Sequence, residues 1–230
     1  MNKIFYYLRE LPIRVRRLWS HIKFPFYRAA ANDFPPKSIL EWFTDAGFYI
    51  MDILAMPEVY ETVFSIIKRT TRPLTIQEKA MATSIFGASI RYDLVKVDTG
   101  ARFGTRKIAL AYVSFNTINY LRQIDKAIFI HEMVHIWQFQ QFGSIYIARA
   151  IKAQRSKEGY DYGGVANLYQ VMLKGGSLLD FNFEQQADII EDYYRIKENP
   201  SASGPMNLSV YAYFAKEVFR YIRPISFIDP

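Results

Sequence analysis

The chain has 230 residues, of which half are hydrophobic and 17% are aromatic, and its formal net charge is +7. This composition excludes an intrinsically disordered protein and allows one domain with a substantial core. The absence of cysteine from the sequence excludes a disulfide framework, thiolate metal ligands and a thiol nucleophile. No apolar run approaches the length of a membrane span, and the sequence contains no repeats.

The first 37 residues are strongly basic. They hold eight Lys or Arg residues against Glu10 and Asp33, a balance of +6, so the rest of the chain is nearly neutral. Three interpretations stay open for residues 1–37: an ordinary first helix with a solvated basic face, a helix on an anionic membrane surface, or a docking tag for a partner such as a secretion apparatus. We expect no nucleic-acid partner, because the segment has no recognised binding motif.

The same segment bears on localisation. Its apolar core, IFYYL, is too short for a secretory signal peptide, and charged residues interrupt the stretch after it. Without such a peptide and without a membrane span, we expect the protein in the cytoplasm of the producing cell. Export would then need a dedicated apparatus.

A Pro-rich break, NDFPPK at residues 32–37, is the best linker candidate. We expect residues 1–37 to form a basic N-terminal segment and residues 38–230 to form one domain. Within that domain, residues 38–70 are predicted to be a helical extension that packs on the rest.

Two capping motifs predict where helices begin. Ser38 with Glu41 opens a predicted helix, and Thr75 with Glu78 opens a second one that stops at Gly87. After residue 89 the pattern changes to short, β-branched runs. The runs IRYDLVKV and KIALAYVSF predict two strands that pair antiparallel across a glycine-containing loop.

The most specific pattern of the chain lies in AIFIHEMVHIWQFQQFG. His131 and His135 are four residues apart, so on a helix they lie on one face and can reach one ion. Glu132 can then hydrogen-bond a water on that ion. This is the H-E-x-x-H pattern of zinc metallopeptidases. Asp125 and Gly143 are the expected caps of this apolar helix.

A third zinc ligand is available in FNFEQQADIIEDYY. Glu184 and Asp188 are four residues apart on a predicted helix, again on one face. We expect Glu184 to join the two histidines and Asp188 to orient one of them through its other ring nitrogen. Glu191 and Asp192 are expected on an exposed acidic face.

These residues carry a family resemblance. HEMVH followed by E-x-x-A-D resembles the gluzincin side of the zincin metallopeptidases. The longer pattern resembles a bacterial domain family of poorly defined function that often accompanies contractile injection systems. The match extends over about the last two-thirds of the chain, and the segments that carry it are Arg72–Glu78, Ile85–Ile90, His131–Gln138 and Glu184–Asp188.

The resemblance implies a mainly helical α+β, zincin-like fold, with a central H-E-x-x-H helix and a small antiparallel or mixed sheet. It also implies that residues 108–115 form a strand that borders the cleft and pairs with an extended substrate, although a purely structural hairpin explains the same run. Tyr160 and Tyr162, in a glycine-rich turn, are candidates for stabilising an oxyanion. The competing interpretation is a surface turn whose tyrosines pack on neighbours.

The resulting prediction is zinc-dependent hydrolysis of peptide bonds. His131, His135 and Glu184 would hold Zn²⁺, and Glu132 would act as the general base. The resemblance implies a delivered bacterial effector with a peptide or protein substrate. Two alternatives remain: an amide hydrolase that acts on cell-wall peptide, and a non-catalytic, zinc-stabilised protein whose function is partner binding.

Overall fold

The computed structural model describes residues 3–23, 36–101, 111–121, 123–199 and 204–220. Helices account for most of these residues, and a four-stranded mixed sheet accompanies them. The prediction of a mainly helical α+β fold with a small mixed sheet is therefore confirmed. Within the described ranges, no helix is both long enough and apolar enough to cross a membrane.

The secondary structure follows a simple order along the chain. The helices are α1 (Lys3–Lys23), α2 (Ile39–Ile53), α3 (Met56–Ile67), α4 (Ile76–Phe86), α5 (Lys126–Phe142), α6 (Ile145–Gln154), α7 (Gly164–Leu173), α8 (Phe183–Glu198) and α9 (Gly204–Arg220). The strands are β1 (Thr71–Pro73), β2 (Lys96–Asp98), β3 (Ala111–Ser114) and β4 (Thr117–Tyr120). One 3-10 turn, Leu178–Asp180, precedes α8.

The predicted helix caps are present. Ser38 accepts a hydrogen bond from the backbone N–H of Glu41, and Thr75 forms the expected capping box. Asp125 caps the start of α5. Gly143 ends α5 at φ +83, and a Cβ there would collide with the carboxylate of Asp52. Glycine is thus required at this position for both conformation and space.

The sheet has the order β1-β2-β4-β3, and β2 pairs with β4 in parallel while the other two pairs are antiparallel. The prediction that IRYDLVKV and KIALAYVSF pair with each other is wrong. A two-residue turn at Phe115 and Asn116 instead folds β3 back on β4, because that connection is the shortest one available. The start of the second run lies in residues 102–110, outside the described residues.

Helix α5 forms the centre of the fold. Most of its residues are buried, and Ile130, Met133 and Trp137 are fully enclosed. It packs against α8 and α6 and against the strands β3 and β4. A helix that is apolar on all sides must be covered on all sides, so the remaining elements are arranged around it.

The first two helices pack against the C-terminal end of α5. The hydroxyl of Tyr7 donates to the carbonyl of Ile53, and Arg17 donates to the carbonyl of Gln141. Asp52 accepts hydrogen bonds from the backbone and side chain of Ser144, the residue at which α6 begins. The division at residue 37 stays a prediction.

Asp52→Asn should remove a pH dependence of stability. Burial raises the pKa of Asp52 from 3.8 to about 6, although hydrogen bonds from Ser144 favour the charged form. The pKa of Asp52 is higher in the folded protein than in the unfolded chain. Its contribution to the free energy of unfolding is therefore full below pH 3.8 and is lost as the pH rises through about 6. Two pKa units correspond to roughly 3 kcal/mol.

The measurement is urea denaturation of wild type and variant between about pH 4 and pH 7. The free energy of unfolding of the wild type should fall relative to that of the variant by an amount of this order as the pH rises. A constant difference across the range would contradict the assignment.

Candidate metal centre

Three side chains from two helices converge beneath the surface. His131 and His135 come from α5, and Glu184 comes from the first turn of α8. The Oε2 atom of Glu184 lies 3.4 Å from Nε2 of His131 and 3.5 Å from Nε2 of His135. Both imidazoles therefore point their Nε2 atoms at the same carboxylate oxygen.

The donor set fits a metal ion. Atoms bound to one tetrahedral zinc at about 2.0–2.1 Å lie about 3.3 Å apart, close to the two observed separations. Among the described residues, Oε2 of Glu184 is buried and accepts no hydrogen bond. An orphaned, buried carboxylate oxygen facing two imidazoles can be satisfied by a cation. His131, His135 and Glu184 could thus hold a metal ion. Two imidazoles and one carboxylate suit zinc.

Glu132 lies beside this group without belonging to it. It is 6% exposed, and its Oε2 atom also has no hydrogen-bond partner among the described residues. Burial raises the pKa of Glu132, while the neighbouring His131 and His135 act in the opposite direction. A buried carboxyl with a free oxygen and a raised pKa has the properties of a general base.

Protons and a metal ion compete for the same atoms. Burial disfavours the charged forms of all three converging groups, but their mutual contacts dominate. Hydrogen bonds to carboxylates raise the pKa of His131 well above its usual value, and Glu184 raises that of His135. The two histidines in turn hold the pKa of Glu184 far below its usual range. Metal binding would therefore displace protons from the imidazoles.

The second nitrogen of His131 is held by two carboxylates. Nδ1 lies 3.0 Å from Oδ1 of Asp188 and 3.1 Å from Oε2 of Glu191. The first distance lies within the hydrogen-bond range expected for an orienting role of Asp188. The expectation that Glu191 is on an exposed face is wrong, because it turns inward to His131 and also pairs with Arg195 at 2.6 Å. Asp192 is likewise engaged, as it accepts a hydrogen bond from Tyr162.

The second nitrogen of His135 is held by a chain of buried amides. Nδ1 lies 2.8 Å from Oε1 of Gln138, whose amide nitrogen donates to the carbonyl of Phe183 and to Oε1 of Gln186. Gln186 donates in turn to the carbonyl of Phe181. Because every amide nitrogen has an acceptor, the chain fixes Gln138 with its oxygen toward the ring. His135 then carries its proton on Nδ1 and presents Nε2 to Glu184.

These amides received no role from the sequence patterns. Their spacing was available, since Gln138 follows His135 by three residues and Gln186 lies between Glu184 and Asp188. A further amide was missed as well: Nε2 of Gln154, at the end of α6, donates to Oε1 of Glu184 at 2.9 Å. One oxygen of Glu184 is thus held by Gln154, and the other points toward the histidines.

The two candidate tyrosines lie in different surroundings. The ring of Tyr160 lies 6.2 Å from that of His131, and the side chain is 45% exposed, so it borders the group. Burial and the nearby Glu184 raise the pKa of Tyr160 to about 12, which keeps its hydroxyl protonated as a donor. The structure does not bring Tyr162 to the group. Its hydroxyl contacts Asp192 and lies 2.7 Å from that of Tyr211.

Strand β3 is an outer strand of the sheet and packs on α5. It covers part of residues 108–115, the segment expected to border the cleft. Residues 108–110 lie outside the described residues. The outer position leaves one edge of β3 without a neighbouring strand within the four-stranded sheet, which is compatible with the expected pairing to an extended peptide.

Comparison with known proteins shows a partial similarity to a much longer protein. It is 28% identical over 141 residues to the type VI secretion system spike protein VgrG2b of Pseudomonas aeruginosa (strain PAO1). The match covers 54% of this chain but only 13% of the length of that relative. No family model matches the chain, and no solved structure matches it. The similarity is thus confined to a small part of the relative and does not show the family of this chain.

Substitution of the three converging residues should abolish metal binding. We expect the purified wild type to carry about one zinc per chain, as a structural or catalytic site would. His135→Ala and Glu184→Ala should lose most of it, and Glu132→Gln should keep it because Glu132 is not one of the three residues that could hold the ion. The measurement is elemental analysis after extensive dialysis. Full zinc content in Glu184→Ala would remove that residue from the ligand set.

Asp188 and Glu191 should compensate for each other as partners of His131. Asp188→Asn leaves Glu191 at 3.1 Å from the same nitrogen, so the single change should weaken zinc affinity by less than ~10-fold. The double variant Asp188→Asn/Glu191→Gln should weaken it by roughly 10–100-fold. Competition with a zinc chelator measures both. Additive effects of the two single substitutions would contradict the shared role.

Proposed function

We propose that this protein is a zinc-dependent peptidase delivered by a bacterial secretion system. The observation that carries the proposal is a pair of buried oxygens, one on Glu132 and one on Glu184, that have no hydrogen-bond partner among the described residues and lie beside two inward-facing imidazoles. A structural site would need the ligands but would have no use for Glu132. Leaving an oxygen of that carboxyl buried without a hydrogen bond from the described residues costs stability, and such a cost is typical of functional sites.

Each residue of the group has a distinct part in hydrolysis. His131, His135 and Glu184 would hold the metal ion. When bound, it would act as a Lewis acid and lower the pKa of its water toward neutrality. Glu132 accepts a proton from the attacking water and delivers it to the leaving nitrogen. The peptide bond then breaks, and the hydroxyl of the water stays on the acyl product while its proton stays on the amine product. Tyr160 is the candidate donor to the carbonyl oxygen as negative charge develops on it.

Delivery is the second part of the proposal. Its support is the similarity of this chain to part of a type VI secretion spike protein. The substrate is a peptide bond in the recipient compartment, either in a protein or in the peptide part of a cell wall. The same four residues serve both substrates, so the choice between them depends on the cleft and needs a direct assay.

Glu132→Gln should separate binding from catalysis. The amide keeps the size of the side chain but cannot accept the proton, so hydrolysis should fall by at least ~100-fold while zinc content stays unchanged. The assay is cleavage of a broad peptide library and of cell-wall peptides by the zinc-loaded protein.

A matched control is Glu158→Gln, which changes an exposed glutamate outside the group. This variant should cleave at the wild-type rate. Equal turnover by wild type and Glu132→Gln would refute the mechanism. Zinc binding without cleavage of either substrate class would favour the non-catalytic, partner-binding alternative.

A further inference from the structure

Helix α1 directs an apolar stripe away from the protein. Its exposed members follow one another at spacings of three and four residues, which keeps them on one face of the helix. The outer stripe of α1 consists of Phe5, Leu8, Pro12, Val15, Trp19 and Ile22. Its five large side chains are each 42–60% exposed. At 1.5 Å per residue the stripe extends about 25 Å.

The inner face of the same helix carries two buried polar residues beside Tyr6 and Leu18, which also pack on the protein. Arg14 is 5% exposed and His21 is 1% exposed. Arg14 donates to the carbonyl of Asp52 and pairs with Glu58, while Nε2 of His21 lies 2.8 Å from the carbonyl of Trp42. The helix thus buries an arginine and a histidine and leaves five large apolar side chains exposed, the reverse of what these residue types usually do.

The exposed apolar surface is concentrated in this part of the molecule. Fifteen of the 22 exposed large hydrophobic side chains of the described residues lie in α1, α2 and α3 or at the C-cap of α2. On α2 and α3 they again recur at helical spacing. The exposed members at this spacing are Leu40, Phe43, Ile50 and the C-cap residue Leu54 for α2, and Met56, Val59, Val63 and Ile66 for α3, and Ile39 and Ile67 are exposed beside them. A surface of this kind indicates an interaction site.

The charges on α1 to α3 are sorted by sign. The cations Arg9, Arg16 and Lys23 are exposed, recur every seven residues and flank the outer stripe of α1. None of the six acidic residues described in these three helices is exposed. Their contacts lie within the protein, as shown by Glu41 and Asp45 with Arg149 on α6. The outward surface thus combines apolar side chains with positive charge alone.

We propose that the outer stripe of α1 docks on an anionic lipid surface. A helix that presents Trp, Phe and Leu on one face and Lys and Arg beside them lies in the headgroup region of such a membrane. Trp19 and Lys23 form a pair suited to that depth, because the ammonium lies over the indole ring, 4.6 Å from its centroid. The proposal concerns binding alone and does not rest on the peptidase activity.

A second copy of the chain fits the stripe less well. An antiparallel coiled coil would place the basic row of one helix against the basic row of the other. Pro12 and Trp19 would occupy core positions that favour compact aliphatic side chains. A lipid surface tolerates both residues and supplies the opposite charge.

The test is co-sedimentation of the full chain with vesicles. The wild type should bind vesicles of phosphatidylglycerol and phosphatidylcholine, and binding should weaken strongly in high salt and with phosphatidylcholine alone. Leu8→Gln/Trp19→Gln should reduce partitioning by at least ~10-fold through lost apolar burial. Arg9→Gln/Lys23→Gln should reduce it by roughly 30-fold, since each charge near an anionic surface contributes about fivefold.

The matched control is Leu173→Gln/Met206→Gln, which removes two exposed apolar side chains from α7 and α9. It should bind vesicles as the wild type does. Circular dichroism melting checks that each variant folds. Equal partitioning of the α1 variants and the control would overturn the proposal. So would self-association of the wild type, without vesicle binding, that the α1 variants lose.

Discussion

Four ionisable side chains lie together between α5 and α8 with little exposure to water. They are His131, Glu132, His135 and Glu184. Burial of so many ionisable groups would be costly if each were isolated, because desolvation amounts to several kcal/mol per ion. Their joint burial costs less because the imidazoles lie beside carboxylates of opposite charge. The two oxygens that still lack partners, on Glu132 and Glu184, mark where that compensation is incomplete. They are also where a metal ion and a water would complete it.

The same constraint explains the glutamines at the end of α5. A helix that is covered on all sides has no solvent for its polar side chains, so each must find a partner in a neighbouring element. Gln138 connects His135 to α8, Gln140 donates to Asn116 in the turn between β3 and β4, and Gln141 donates to the carbonyl of Ser89. These hydrogen bonds fix how the sheet and α8 sit on α5. The geometry of the metal position is thereby coupled to the packing of the whole domain.

Sequence patterns predicted the faces and ends of single helices well, and they failed for the pairing of the strands and for the partner of Glu191. The spacing of His131, His135 and Glu184 placed each on a helix face, and the caps located helix ends, because both depend on local geometry. The pairing of strands depended on the two-residue turn that joins β3 to β4, and the predicted hairpin does not form. Glu191 was misjudged because spacing alone cannot show that His131 has room for two carboxylates. The sequence likewise allowed a helix in residues 1–37 but could not tell which of its faces is covered.

The outer stripe of α1 is informative because its exposure has a cost. Five large apolar side chains remain in water, and their burial would stabilise the protein by about 25 cal/mol per Å² of covered surface. The chain instead buries Arg14 with two partners, Glu58 and the carbonyl of Asp52, and leaves the apolar residues outside. Folding alone gives no reason for this arrangement. An outer partner that is apolar and negatively charged does, because it covers the stripe and neutralises the basic row in the same contact.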